Sequence, residues 1–367
     1  MPASRGPTAR RWHLVVVMAQ IWGWCSQPFR QDGIFGAFMS QFLKPRLSPQ
    51  RAVASSHSSP DAGVVLATLS VVTLNLRYDE AQDRAIGQGW LQRQGLVARL
   101  LASSADHGQG LQPCDVVGTQ EGLAHQLRGL DAALAEVGTG EESAYSRVGR
   151  GRNWLGGGEH CAIYYRRNAL KLLEEGTFSL SEKPECMGRR DWGAACPRIG
   201  TYARLGLPGG QGTLLVINTH LDHVSEEARY RGAELLAAKA TELEMKDPLG
   251  SPPLLGTLVL GDFNCAQRCG PEGLPGRVFE VFQKAGFWSA SDVAEGMVPS
   301  RSFHAWGGKA VCDMCSSREH AHIDWVLWRG KGLRPTRFEV VTAEGDSGVL
   351  PSDHFPVYAQ FQLRPPR

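Results

Sequence analysis

The 367-residue chain has no run of about 20 consecutive apolar residues, the length that crosses a bilayer as a helix. Its nearest approach, Leu14 to Cys25, spans roughly a dozen residues and is broken by Gln20. Gly149 to Gly158 is glycine-rich, but the Gly-x₄-Gly-Lys-Ser/Thr spacing of a nucleotide-triphosphate loop is missing. An excess of one charge is missing too, since 39 Lys and Arg against 37 Asp and Glu leave a formal +2. The nine cysteines are odd in number and irregularly spaced over a large domain, so they do not form a disulfide framework. Should Cys25 leave with a targeting peptide, eight remain and pairing stays open. There is no internal repeat, which excludes a solenoid.

The near-neutral total hides an asymmetry. Residues 1–60 hold Arg5, Arg10, Arg11, Arg30, Lys44, Arg46 and Arg51 against a single acid, Asp32, leaving 32 basic and 36 acidic residues in 61–367. That body, at a net −4, is not a basic nucleic-acid surface overall, although a local patch is still allowed. The Arg-rich, acid-poor head has the composition of a targeting segment. Transit to a mitochondrion or plastid is favoured slightly over a secretory signal or membrane anchor. Arg10-Arg11 before Leu14 to Cys25 suits a secretory signal, but Ala52-Val-Ala54 lies too far downstream for its cleavage site. An untargeted, disordered extension is the third reading, and the Ser/Pro-rich Ser48 to Pro60 fits it. One folded domain is expected over 61–367, and 42% hydrophobic residues are ample for its core.

Ordered structure is expected from Gly63. Val64 to Asn75 is β-branched and apolar, a strand buried on both faces. A helix follows, with Leu91, Leu96, Val97, Leu100 and Leu101 near helical spacing. Asp115 to Gln120 reads as a strand, Leu123 to Val137 as a helix, and Glu226 to Lys246 as another. Further strands are expected at 161–166, 177–180, 201–207, 213–219, 258–261, 322–328, 338–342 and 356–363. Closely spaced strands need hairpins, so mixed sheets are expected rather than one doubly wound parallel sheet. Gly149 to Gly158 and Glu182 to Pro197 are the long loops.

Several hydrophobic runs end in the same few polar residues. They are Thr-Leu-Asn75-Leu-Arg77, Thr-Gln120-Glu121, Asn218-Thr-His220-Leu-Asp222, Gly261-Asp262-Phe-Asn264, His322-Ile-Asp324-Trp and Ser352-Asp353-His354. Carboxylates, amides and imidazoles gathered at strand ends are what a divalent cation and a phosphate need. Any one of them alone is equally a turn or a solvated acid; six in order are a signal.

This ordered set resembles the endonuclease/exonuclease/phosphatase superfamily, which includes DNase I, exonuclease III-type repair nucleases, neutral sphingomyelinases and inositol polyphosphate 5-phosphatases. The likeness covers about residues 66–363. It is closest to bacterial-type members of undefined substrate, which Gly176 to Glu182 and Thr219 to Arg229 resemble most. The resemblance implies an α/β (α+β) fold, a four-layer αββα sandwich of two packed, mostly antiparallel sheets flanked by helices. It implies Mg²⁺ as cofactor, with Mn²⁺ as the substitute, held by Asn75, Glu121 and Asp353. His354 and Asp324 match the family's histidine–carboxylate pair. Asp262 would position or deprotonate the attacking water, and Asn264 would donate to a phosphate oxygen. His220 and Arg198 would contact the substrate phosphate, with a surface arginine as the alternative for Arg198. Asp222 would support His220 or the metal; Tyr164 matches an active-site tyrosine of some branches but is equally core.

The expected activity is therefore metal-dependent phosphoester hydrolysis by direct water attack on a small phosphorylated metabolite or lipid headgroup. A DNase I-like nuclease is the alternative, favoured if Arg147, Arg150, Arg152, Arg189 and Arg190 form a basic rim. A catalytically inactive binding module is disfavoured, because none of the metal or acid–base residues is lost. A monomer without an obligate protein partner is expected. Cys312-Asp-Met-Cys315, with His320 and His322 beyond it, has three readings: a zinc site, a disulfide or redox pair, and free thiols, the last preferred.

Overall fold

The computed structural model describes residues 64–102, 113–137, 144–246, 250–269, 273–293, 301–308, 322–342 and 348–366. Residues 1–60, read above as a targeting segment, and Cys312, Cys315 and His320 lie outside these residues.

The element order is β1 (Ala67–Asn75), α1 (Ala81–Ala85), α2 (Trp90–Ala102), β2 (Val116–Gly122), α3 (Ala124–Val137), β3 (Tyr145–Val148), β4 (His160–Arg166), β5 (Lys171–Ser179), β6 (Ile199–Gly206), β7 (Thr213–His220), α4 (Glu226–Met245), β8 (Leu254–Asp262), the short pair β9 (Arg268–Cys269) and β10 (Leu274–Pro275), α5 (Arg277–Lys284), β11 (Trp288–Ser289), β12 (Asp324–Arg329), β13 (Leu333–Val340) and β14 (Val357–Leu363). Two six-stranded sheets result, in the orders β13-β14-β1-β2-β4-β3 and β11-β12-β8-β7-β6-β5. Each sheet has one parallel pair, β1 with β2 and β7 with β8; the other neighbours run antiparallel. The parallel pairs need helical crossovers, which α2 and α4 provide. No helix among the described residues is long and apolar enough to cross a membrane.

Side-chain alternation along the strands builds the layers. On β1, Leu69 and Val71 face a core between the sheets, with Val216, Leu258, Leu260, Val357 and Phe361. Val72 and Leu74 face the other way, onto Trp90, Val97 and Leu101 of α2 and Leu127 and Leu130 of α3. On the far side, Ile217, Val259 and Trp325 meet Leu236, Ala240 and Phe279 of α4 and α5. This is the four-layer sandwich. Ser225 starts α4 by accepting a hydrogen bond from Ala228 N at 3.1 Å, with Glu226 and Glu227 in the first turn.

Strand and helix boundaries fall within a few residues of those expected for most elements, but β5 begins six residues earlier, at Lys171. The short β3, α1 and α5 were not anticipated. Leu91, counted on the apolar face of α2, points outward at 83% exposed; the buried face is Trp90, Arg93, Val97, Leu100 and Leu101. Gln120 and Asn218, which sit inside the polar strand endings, tie the two sheets together. Gln120 Nε2 donates to Asn218 Oδ1 at 2.7 Å, and Asn218 Nδ2 donates to the carbonyls of Thr119 and Ala162. Gly118 makes room, since a Cβ there would stand 2.9 Å from Asn218 Oδ1.

Candidate active site

Parallel strands in register finish together. Asn75 pairs with Gln120 across β1 and β2, and His220 with Asp262 across β7 and β8. The antiparallel β12 starts at the same edge, with Asp324 opposite Asp262. The sheets meet there: Asn75 Nδ2 donates to Glu121 Oε1 at 2.9 Å and to Asp262 Oδ2 at 3.0 Å. The segment before β14 is anchored to the same place, because Ser352 Oγ donates to the Asn75 carbonyl at 2.6 Å. Of the predicted site residues, Asn75, Glu121, His220, Asp262, Asn264, Asp324, Asp353 and His354 thus converge at one edge.

Two turns need unusual backbone. Glu121 has φ +61° and Asn264 φ +50°, a left-handed conformation that Asn tolerates best among residues other than glycine. Gly261 is required beside Asp262, since a Cβ there would lie 2.2 Å from the Thr219 carbonyl oxygen.

Glu121, Asp353 and Asn75 form the oxygen-rich half. Glu121 Oε2 accepts from Tyr78 N at 3.0 Å. Burial, with the Glu121 charge adding to it, pushes the Asp353 carboxyl above its usual value. Arg77, which also attracts Asp353, bonds Asp83 at 2.8 Å and stays 3.9 Å from Asp353. Two carboxylates and an amide, all hard oxygens, fit a divalent cation. Asn75 Oδ1 accepts from Arg77 N at 2.8 Å and keeps a second lone pair.

The other half is imidazole and carboxylate. His354 Nδ1 lies 2.8 Å from Asp324 Oδ2, and its Nε2 lies 3.8 Å from Asp262 Oδ2. Burial alone would discharge the ring, but Asp324, Asp262 and Asp353 together push His354 up to about 10. Asp262 is pushed up to about 7 by burial and by Asp324. It accepts from Asn264 N at 2.9 Å. His220 is driven the opposite way, well below the ordinary imidazole value, by burial and then by Arg198 and Arg152. The ring is neutral, consistent with Nε2 accepting from Asn264 Nδ2 at 2.9 Å.

Arg198 is buried, which removes the surface alternative. Its guanidinium lies 3.5 Å from Asp222 Oδ2 and donates to His223 Nδ1 at 2.8 Å. Asp222 spends its oxygens on backbone N–H groups of Ala195, Val224 and Ser225, so it shapes the loop under Arg198. Tyr164 packs in the core on the helix side of the first sheet. His304 stacks on Phe355, and Phe303 lies 4.9 Å from the His354 ring, at the mouth.

Glu159 and Arg93 were missed, and Arg152, expected in a basic rim, is paired instead. Arg152 and Glu159 form a 2.7 Å ion pair lining a narrow recess with Glu121, Arg198 and His220. Arg93 is fully buried and donates to the carbonyls of Leu76, Arg77, Gln88 and Pro351. It clamps the chain after Asn75 to the chain before Ser352. Its signal was legible as an arginine in phase with the apolar face of α2.

A family model described as Endonuclease/Exonuclease/phosphatase family matches residues 72–354. Among solved structures, an endonuclease/exonuclease/phosphatase from Bacteroides vulgatus is 27% identical, with 81% of this chain and 100% of that one covered and a TM-score of 0.64. The Bacteroides thetaiotaomicron mannosyl-6-phosphatase is 26% identical over 80% of this chain and 99% of that one, also at 0.64. TDP2 of D. rerio, complexed with a single-strand DNA product, shares the fold at 16% identity and a TM-score of 0.53, over 80% and 99% of the chains. The sequence has no significant match among curated proteins.

Proposed function

The chain belongs to the endonuclease/exonuclease/phosphatase family of phosphoester hydrolases, and on that premise we propose that it releases phosphate from a small phosphorylated molecule. The observation that carries the choice of a small substrate is the fate of the rim arginines. Arg147 bonds Asp131, Arg152 bonds Glu159 and Arg189 bonds Asp191, while Arg150 and Arg190 donate to backbone carbonyls. Three of the five arginines are thus neutralised by a carboxylate, and only Arg150 and Arg190 keep an uncompensated charge. That is a reduced footprint for a polyanion, whose binding rests on releasing counterions from unpaired cationic contacts. The likeness to the mannosyl-6-phosphatase supports a sugar phosphate among small esters. The nuclease remains the second reading, through the shared fold of the DNA-bound TDP2.

Each residue at the edge then has a task. Asp262, pushed up to about 7, is poised to take a proton from the attacking water near neutral pH. His354, held charged and oriented by Asp324, presents Nε2 to a phosphoryl oxygen. Arg198 supplies a further donor, whereas both hydrogens of Asn264 Nδ2 are taken by His220 Nε2 and the Leu221 carbonyl, so Asn264 positions His220. A divalent ion, Mg²⁺ or Mn²⁺ in its place, suits Glu121, Asp353 and Asn75 and when bound would supply Lewis-acid neutralisation of phosphoryl charge. Water attacks phosphorus as Asp262 takes its proton, and the bond from phosphorus to the ester oxygen breaks. The leaving oxygen takes up a proton from solvent, and no covalent enzyme intermediate is needed.

The test follows phosphate release by the full-length protein with Mg²⁺ from sugar, inositol, nucleotide and lipid phosphates, with plasmid DNA and RNA alongside. The expected result is release from a small ester, intact polymers, and loss of activity in His354→Ala. Nicking of the polymers that fades with added salt would move the protein to the nuclease branch.

A further inference from the structure

The glycine-rich loop between β3 and β4 contributes nothing to the chemistry above, yet it delivers two charged side chains into the same recess. It is a built element rather than slack chain. Gly151 N donates to the Gly156 carbonyl, Asn153 N to that of Gly157, Gly156 N to that of Asn153 and Arg152 N to that of Glu159. Gly151 bridges to His160 at the start of β4. The turn closes so tightly that a Cβ on Gly151 would lie 2.3 Å from the Gly157 carbonyl oxygen. Arg152 and Glu159, at the two ends of this closed turn, are held at fixed positions with their side chains 18% and 17% exposed.

A carboxylate here needs a reason. Glu159 lines the recess with Arg198 and His220, the groups assigned to the phosphate, and like charge would repel a phosphate dianion. The ion pair with Arg152 cancels that repulsion and leaves a neutral acceptor–donor pair. Glu159 Oε2 is taken by Arg152 Nη1, while Oε1 accepts no hydrogen bond from any described residue. A guanidinium beside a carboxylate matches a hydroxyl pair, which donates to the oxygen and accepts from the nitrogen. It does not match an acyl chain.

We infer that Arg152 and Glu159 form a subsite for the hydroxyl groups of the leaving alcohol, so that the substrate is a phosphate ester of a polyhydroxylated molecule. This rests on the hydrolase reading and sharpens it. Glu159 acts on the leaving group's position and not on the proton transfer at phosphorus. A site built to hydrogen-bond a hydroxyl discriminates strongly against an analogue without one, because its own polar groups are then left unpaired.

The experiment compares glucose 6-phosphate with 4-nitrophenyl phosphate, whose leaving group has no such hydroxyls, in the full-length wild type and in Glu159→Gln and Glu159→Ala. In the wild type kcat/KM favours the sugar ester. In both variants the ratio of the two kcat/KM values falls by about tenfold or more, mainly through KM for the sugar ester. Thermal melts of the variants report folding separately. A ratio unchanged by both substitutions overturns the subsite while leaving the hydrolase reading intact. So does a wild type that cleaves the aryl ester without preferring the sugar. Inactivity of the wild type on every phosphoester of the wider panel would sink the hydrolase reading itself, and the subsite with it.

Discussion

At their common edge the two sheets end in unlike chemistry. Asn75, Glu121 and Asp353 offer hard oxygens, and Glu121 keeps part of its surface in water. Asp262, Asp324, His220 and His354 are buried to 6% exposed or less, and the neighbouring carboxylates keep the proton on His354 against its burial. Asn75 and Asp353 are buried too, at 1% and 7% exposed, so Glu121 alone opens the first half to a cation from solvent; the second, closed half holds protons where its partners dictate. Asn75 is the seam, since one amide nitrogen serves Glu121 at 2.9 Å and Asp262 at 3.0 Å. The Ser352 to His354 segment is the other seam, giving Asp353 to one half and His354 to the other.

The division breaks most visibly if each half is removed in turn. His354→Ala should lower kcat by about 10²–10⁴, the range of a lost acid–base or charge-stabilising group. Raising Mg²⁺ should not restore it. Glu121→Ala should cost a comparable factor at low Mg²⁺, but part of that loss should return as the metal is raised, because the site is weakened and its chemistry kept. Titrating kcat against Mg²⁺ for both variants checks this. Identical metal response in the two would mean that the halves are one cluster.

Cutting the seam is a smaller perturbation. Asn75→Ala removes two hydrogen bonds to carboxylates, each worth about 1.5–3 kcal/mol, and leaves Glu121 and Asp262 without their shared donor. A loss of about 10–100-fold in kcat/KM is expected, with both metal affinity and the pH profile altered. A change confined to one of these would assign Asn75 to one half alone.

The two halves were not equally legible in the sequence. Asp262, Asn264, Asp324, Asp353 and His354 announce themselves because carboxylates, an amide and an imidazole stand at or beside the ends of apolar strands, where burial without a partner is costly. The sandwich follows from the same strands, since runs such as Val71 to Leu74 are apolar on both faces. The recess was hidden. Arg152 and Glu159 sit in a loop whose pattern of Gly and charge reads equally as solvated turn, and only the closed hydrogen bonding turns both inward. Asn218, in the same polar strand ending as His220, shares its face by alternation along β7 but lies two residues deeper, where it bonds the facing sheet instead of the site. Leu91 misled for a related reason: apolar residues on a short helix fit more than one stripe.

The smallest expected effect concerns stability, next to the closed half. Both ring nitrogens of His322 are buried without a partner among the described residues, and burial lowers its titration to about 4. The folded state therefore refuses a proton that the unfolded chain accepts below about 6.5. The contribution to stability is intact above pH 6.5 and is lost as pH falls toward 4. At pH 5 this amounts to about 2 kcal/mol, a few degrees in Tm. Asp262, shifted upward, works in the opposite sense over the same range, so the raw acid limb is a blend of the two. The informative quantity is the difference between wild type and His322→Phe, whose ring would keep the contact with Phe338. The variant should gain relative stability steadily from pH 6.5 to 4, in thermal melts taken at half-unit steps. A difference that stays flat over that interval would mean that His322 finds a proton acceptor in the folded chain.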